Sequence, residues 1–225
     1  MSASKQRADD FSTFTLRLIH EIPFCQHLKP KDNQRNSKIA FDVGPAPPSQ
    51  APSVVSKGIT SQITGSRGDL IIADDVESLN NSATAVMRDK LLASTAEFEA
   101  VLKPGGEIIY LGTPQTEQSI YHGLAEKGYV TRVWPARFPE DRLKVAFGEK
   151  LAPLLRTGKS GDPTDPKRFD AMDLMEREAS YGRTGFALQF MLDSTLSDAV
   201  FAYSARSKTT PSHHFLQTIT LWQKF

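Results

Sequence analysis

Apolar and polar positions alternate with two different periods along the chain, and the switches between them mark the elements. Between residues 5 and 28, "KQRADDFSTFTLRLIHEIPFCQHL" sets Phe11, Phe14 (or Thr15), Leu18, Ile22 and Cys25 at helical spacing, with Pro23 as a break. Two short β-like pieces follow, "SKIAFDVG" and "SVVSKGIT", around the Pro-rich turn "PAPPSQAP". In "GSRGDLIIADDVE", residues 65–77, the apolar run Leu70 to Ala73 leads straight into Asp74 and Asp75. That is the pattern of a strand buried on both faces whose C-terminal end opens onto a polar site. "NNSATAVMRDKLLASTAEFEAVLKPGG" predicts the clearest helix, capped by Asn81 or Ser82 and stopped by Pro104-Gly105-Gly106. Met87, Leu91, Phe98 and Leu102 line one face of it. "EIIYLGTPQ" predicts a second buried strand, and a helix near 117–127 with the strand "YVTRVWPA" completes a βαβαβ rhythm. Such a rhythm predicts an α/β fold with a mostly parallel sheet.

Beyond residue 140 the pattern changes. A helical piece at 140–156 leads into the connector "TGKSGDPTDPKRF", and an amphipathic helix follows at 170–192. The stretch from Val200 to Phe225 has no Asp or Glu and keeps no period. The expected organisation is a core at 1–139, a small helical linker subdomain at 140–199, and a divergent, disordered tail at 200–225.

Composition narrows the class. With 39 % hydrophobic and 24 % charged residues, the chain of 225 residues is an ordinary globular sequence. A net charge of +1 gives no bulk argument for nucleic-acid binding, and one cysteine, Cys25, excludes an internal disulfide framework. No apolar run approaches a membrane span and no signal peptide opens the chain, so a cytoplasmic, soluble protein is expected.

The chemistry concentrates at the acidic strand end. In nucleotide-hydrolysing α/β domains a strand ending in two acids orders Mg²⁺ through the first carboxylate and polarises the attacking water with the second. Successive strand residues point oppositely, so Asp74 faces the metal and Asp75 the water, with Glu77 in phase with Asp75 and an equal candidate for the base. The alternative is a solvated strand end opening a helix, where acids are favoured. On the neighbouring strand, Thr113 and Gln115 flank Pro114 where a γ-phosphate-sensing group would sit. Alternatively, Thr113 or Thr116 caps the helix at 117–127. The segment Thr157-Gly158-Lys159-Ser160-Gly161 mimics a phosphate-binding loop, but Pro153 stands where the first glycine is required, and no other such pattern exists in the chain. His213 and His214, adjacent and without partners, do not make a metal site.

The ordered set "SASKQRADDF", "FDVGPA", "GITSQITGSRGDLIIADDVE", "NNSATAVMRDKL", "EFEAVLKPGGEIIYLGTPQTE", "VWPARFP", "PTDPKRF" and "EREASYGRTGFALQFMLDSTLSDA" resembles the large terminase subunit of short-tailed double-stranded-DNA phages, from about Ser2 to Ala199. The resemblance implies a partial P-loop ATPase domain that drives double-stranded DNA into a procapsid. It implies ATP and Mg²⁺ as cofactors, with Asp74 and Asp75 as the metal and catalytic carboxylates and Glu77 as a rival base. Thr113 and Gln115 become the nucleotide-sensing members of a coupling motif. Arg67 would contact phosphate, reach a neighbouring subunit's site, or simply pair with Asp69. Implied partners are DNA, a small terminase subunit, the portal and a ring of like subunits, in the cytoplasm of a bacterial host. The family's phosphate-binding loop precedes "SASKQRADDF" and its nuclease domain follows "LSDA", so the chain is expected to be truncated at both ends and weak or inactive alone. Two other expectations stand beside this one: a metal-dependent nuclease built on the acidic cluster, and a non-catalytic prophage remnant that binds packaging partners.

Overall fold

A computed structural model describes residues 1–196 and 221–224. The described chain divides into two compact units, Met1–Val76 with Leu92–Ile108, and Glu77–Leu91 with Ile109–Phe225. The boundary expected near residue 140 lies inside the second of these.

In the first unit, helix α1 (Lys5–Glu21) begins where the Ser4 hydroxyl accepts the Arg7 N–H at 3.2 Å, and it ends as Ile22 turns extended ahead of a 3₁₀ turn at Pro23–Leu28. Its buried face is Ala8, Ser12 and Ile19, whereas Phe11 and Phe14 stay exposed, contrary to the expected apolar stripe. At the start of the helix another backbone runs close by: a Cβ at Gly58 would lie 3.0 Å from Lys5 N, so glycine there permits the approach. The two β-like pieces form an antiparallel hairpin, β1 (Ala40–Phe41) with β2 (Val54–Val55), around the Pro-rich turn.

Strand β3 (Gly68–Asp74) alternates: Ile71 and Ala73 are buried, while Leu70 is exposed and Ile72 and Asp74 are half-buried. The expectation of burial on both faces is therefore corrected. One face is covered, and the other, with Leu70, Ile72 and Asp74, lines a cavity of about 550 Å³. Along its edge, Met1 N donates to Ile72 O at 2.6 Å and Asp74 N to Met1 O at 2.8 Å, the bonding pattern of a parallel ladder.

The helix expected from Asn81 onward is two pieces, α2 (Leu79–Ser82) and α3 (Ala85–Val101). Ser78, with Asn81 as reciprocal partner, caps the first, and the Thr84 hydroxyl accepts the Met87 N–H at 3.3 Å to open the second. Leu91, Thr95, Phe98 and Val101 form the buried stripe of α3, and Met87 is exposed. Pro104-Gly105-Gly106 does not end in a loop but belongs to the ten-residue strand β4 (Leu102–Leu111). A side chain at Gly106 would meet Asp69 O at 2.8 Å, so glycine there permits the close approach of β4 to β3.

In the second unit, the helix expected at 117–127 is absent. Residues 116–124 form successive turns, with a 3₁₀ turn at Ala125–Lys127 and a left-handed Gly128 leading into β5 (Tyr129–Arg132). Tyr110 and Tyr129 meet edge to face at 5.3 Å in the core. Strand β6, Leu221–Lys224, pairs antiparallel with both Ile109–Leu111 of β4 and with β5, so those two strands run parallel to each other with β6 between them. The parallel order anticipated for β4 and β5 thus includes an antiparallel insert from the tail that was expected to be disordered. The rest of that tail, with His213 and His214, lies outside the described residues.

Helix α4 (Asp141–Phe147) is shorter than the expected 140–156, because Gly148 leaves the helical region and 3₁₀ turns follow. Helix α5 (Ala171–Gln189) starts on the Asp170–Asp173 capping box and breaks at Gly182, φ 68° and ψ 166°. Its two halves both serve one core: Leu174 from the first and Phe186 from the second pack with Ala136, Phe169 and Phe190. The Arg137 guanidinium lies 4.7 Å over the Phe186 ring and binds Glu178 at 2.5 Å.

Only glycine adopts the Gly182 conformation without strain. Gly182→Ala is expected to destabilise the chain by about 1–3 kcal/mol, against less than about 0.5 kcal/mol for Ala at the exposed neighbour Arg183. Urea unfolding of the two variants checks this.

Candidate active site

Strand β3 delivers Asp74 onto the wall of the 550 Å³ cavity of the first unit, which Arg7, Arg67, Asp69 and Lys103 also line. The pleat ends there. Asp75 turns left-handed, φ 44°, a conformation that Asp tolerates better than most residues. The expected in–out alternation of Asp74, Asp75 and Glu77 is corrected accordingly, since it presumed a strand continuing through them.

The two aspartates share one environment. Arg7 of α1 stands 3.5 Å from Asp75 Oδ2, and the Asp75 side chain is only 13 % exposed. Burial, reinforced by the like charge on Asp74 and opposed by Arg7, pushes the Asp75 carboxyl up to about 7. Burial raises Asp74 as well, against the pull of nearby positive charge that includes Arg7. Arg7 sits in the "SASKQRADDF" motif, but nothing in its spacing marked it as a partner of residue 75. The pairing depends on how α1 is placed beside β3.

Glu77, 3 % exposed, belongs to a different arrangement in the second unit. Its Oε1 accepts the Gln115 N–H at 2.9 Å, and its Oε2 accepts the Ser119 hydroxyl at 3.0 Å and the Ile120 N–H at 2.8 Å. Its own N–H points to the Tyr121 hydroxyl at 3.4 Å. Burial still raises the carboxyl above its ordinary value despite these three donors and the nearby Arg88. These donations tie the start of the turns at 116–124 to one carboxylate. Gly112 is part of the same packing, because a Cβ there would collide with the Tyr121 phenol.

Gln115 closes back on its own turn, Nε2 donating to Thr113 O at 3.0 Å, and its Oε1 accepts from Gln189 Nε2 at 3.4 Å. Thr113 is buried beside it. With no helix at 117–127, neither Thr113 nor Thr116 serves as its cap. Glu77 and Gln115 are thus brought into direct contact, and Asp74 and Asp75 are gathered with Arg7. Arg67 is exposed and donates to Ser66 O at 2.7 Å, while Asp69 pairs at 2.8 Å with Lys103 and not with Arg67.

A hard divalent cation suits Asp74 and Asp75, whose donors are carboxylate oxygens only. Mg²⁺ is commonly held by one or two carboxylates and completes its shell with water. Among the described residues no cluster of three or more acidic, His or Cys side chains forms a protein-only metal cage. The phosphate-loop mimic at 157–161 is a bend in which Gly161 N–H bonds Phe138 O at 2.9 Å and φ at Gly161 is +88°, with no helix following.

A β–α–β segment whose first strand ends in two half-buried carboxylates and whose second runs into a polar turn places the chain in the α/β class. No family model matches the chain. It is 53 % identical over 210 residues to the terminase large subunit of Enterobacteria phage T3, an alignment covering 88 % of this chain and 36 % of that protein. Across those residues the chain is similar to part of a phage large terminase subunit, and it spans about a third of that relative's length. No helix among the described residues is long and apolar enough to cross a membrane.

The Asp75 carboxyl gives a signed pH dependence. Folded, it holds its proton up to about pH 7, whereas its ordinary value is 3.8. Between those values the folded chain binds more protons than the unfolded, so stability falls as pH rises through this window and levels off above it. In EDTA, wild type is expected to lose about 1–3 kcal/mol relative to Asp75→Asn between pH 5 and 7.5. Parallel stability curves for the two proteins would refute the assignment.

Proposed function

We propose that this chain is the acidic-strand portion of a DNA-packaging ATPase, in which hydrolysis of ATP drives double-stranded DNA into a procapsid. The observation that carries the reading is Asp75: a buried carboxyl poised near pH 7, fixed in a left-handed turn at the end of β3 beside Asp74. The P-loop ATPase fold, the small terminase subunit, portal and ring partners, and a location in the host cytoplasm belong to this same proposal, supported by the relationship to a phage terminase large subunit.

The carboxylates divide the work. Asp74, on the cavity wall, would hold Mg²⁺, which supplies charge neutralisation on the phosphates when bound. Asp75 takes the role of base: its proton affinity lets it orient a water and accept its proton near neutral pH. Glu77 is assigned a structural part, because its oxygens already accept three donors. Thr113 and Gln115 form the polar turn that carries the state of the site onward, and the exposed Arg67 is the residue free to reach a phosphate. The nuclease alternative is not favoured, since two-metal cleavage requires more carboxylates than the described residues cluster.

Alone, the chain is expected to hydrolyse ATP at background, since it contains no Gly-x-x-x-x-Gly-Lys-Ser/Thr pattern. The test is a chimera in which residues 1–196 replace the matching stretch of the phage T3 subunit. Mg²⁺-dependent ATP hydrolysis is expected in the chimera, with Asp75→Asn lowering kcat by about 10²–10⁴-fold. Asp74→Asn should weaken the response to Mg²⁺. Undiminished turnover in Asp75→Asn would remove Asp75 as the base.

A further inference from the structure

The turn that Glu77 organises does not end at Ile120. Two residues on, His122 is exposed, and its Nε2 lies 3.1 Å from the Ser194 hydroxyl in the segment that follows α5. That segment is held tightly. Asp193, 4 % exposed, accepts Arg142 Nη2 of α4 at 2.6 Å through Oδ2. Its Oδ1 accepts the Thr195 hydroxyl at 2.6 Å and the Thr195 N–H at 3.2 Å. Its N–H bonds Ala187 O at 2.9 Å, closing the end of α5. Leu192, buried just before it, sits at φ 57°, which a side chain of that size adopts only when its surroundings enforce it.

Beside these contacts lies a second cavity, about 180 Å³, lined by Pro114 of the Gly112–Gln115 turn, His122, Arg142, Leu192 and Ser194 among others. Close-packed interiors resist gradual deformation, but a void next to a strained backbone gives the segment somewhere to move. All of these residues belong to the second unit.

We propose that Glu77 and residues 192–195 are coupled through the 115–122 turn, with His122 as the positioning residue that joins them. The chain of contacts runs from Glu77 to Ser119 and Ile120, along the backbone to His122, then across to Ser194 and, through Asp193, to Arg142 on α4. Loosening the carboxylate's grip on the turn shifts His122 and releases the strained segment after α5. The polar turn next to the acidic strand thereby sets the anchoring of whatever follows that segment. The coupling stands on contacts within the second unit and holds whether or not Asp75 is the base.

Amide hydrogen exchange of the full chain, read by mass spectrometry, tests it. Ser119→Ala and Glu77→Gln are expected to speed exchange by about 3- to 10-fold both at 115–122 and at the Asp193 and Thr195 amides. His122→Leu should do the same at 192–195, His122→Gln should restore slow exchange there, and Glu77→Gln with His122→Leu should be no faster at 192–195 than either alone. Should Glu77→Gln unfold the chain, Ser119→Ala provides the comparison, because it removes one donor of three. Faster exchange at 115–122 with wild-type rates at 192–195, or additive effects in the double variant, would overturn the proposal.

Discussion

Much of the second unit hangs on one buried anion. Glu77 is almost fully removed from water and among the described residues has no ion-pair partner at contact distance, so its burial would cost several kcal/mol if left uncompensated. Compensation comes from the chain itself: two backbone amides and a hydroxyl from residues 115–120 point at its two oxygens. Each bond to a charged acceptor contributes about 1.5–3 kcal/mol, so three offset a penalty of that size. The carboxylate and the turn satisfy each other, and the path the turn takes brings Gln115 to Gln189 and His122 to Ser194.

The same logic separates two acids that are near neighbours in sequence. Asp75 and Glu77 are both shifted upward by burial. Glu77 spends its lone pairs on fixed donors, whereas Asp75 has a guanidinium at the long distance of 3.5 Å and a second carboxylate beside it. A fixed donor favours the ionised form and occupies the oxygen a substrate water would need. A like charge favours the protonated form and leaves that oxygen accessible. On the proposed function, chemistry falls to Asp75 and architecture to Glu77, a division that residue type alone does not express.

This division also explains how much the sequence disclosed. Elements written in periodicity and punctuation were legible: α1 ending before Pro23, the β1–β2 hairpin around its prolines, β3 running into its acids, the long helix α3, and α5. Buried faces were less so. The α1 stripe of Phe11 and Phe14 looked like a core face, yet the helix buries Ala8, Ser12 and Ile19 instead. Residues 117–127 have helix-compatible composition, yet they form turns bonded to a carboxylate some forty residues upstream in sequence (Glu77), which no local window contains. In the same way Arg7 is an ordinary first-turn arginine until α1 is laid beside β3.

Nonlocal contacts also decide what the polar turn is able to transmit. A strand end that only capped a helix would leave its disturbances within that helix, because helical amides bond to one another. The turn keeps short-range bonds of its own, Ser119 N–H to Thr116 O and His122 N–H to Ser119 O at 3.1 Å each, and is also bonded outward, to Glu77 on one side and to Gln189 and Ser194 on the other. On the proposed coupling a displacement at one end reaches the other through these outward bonds, because losing a bond to a buried charge is costly. On that proposal the left-handed Leu192 and the void beside it mark the segment after α5, rather than the acidic strand, as the place where a displacement would be taken up.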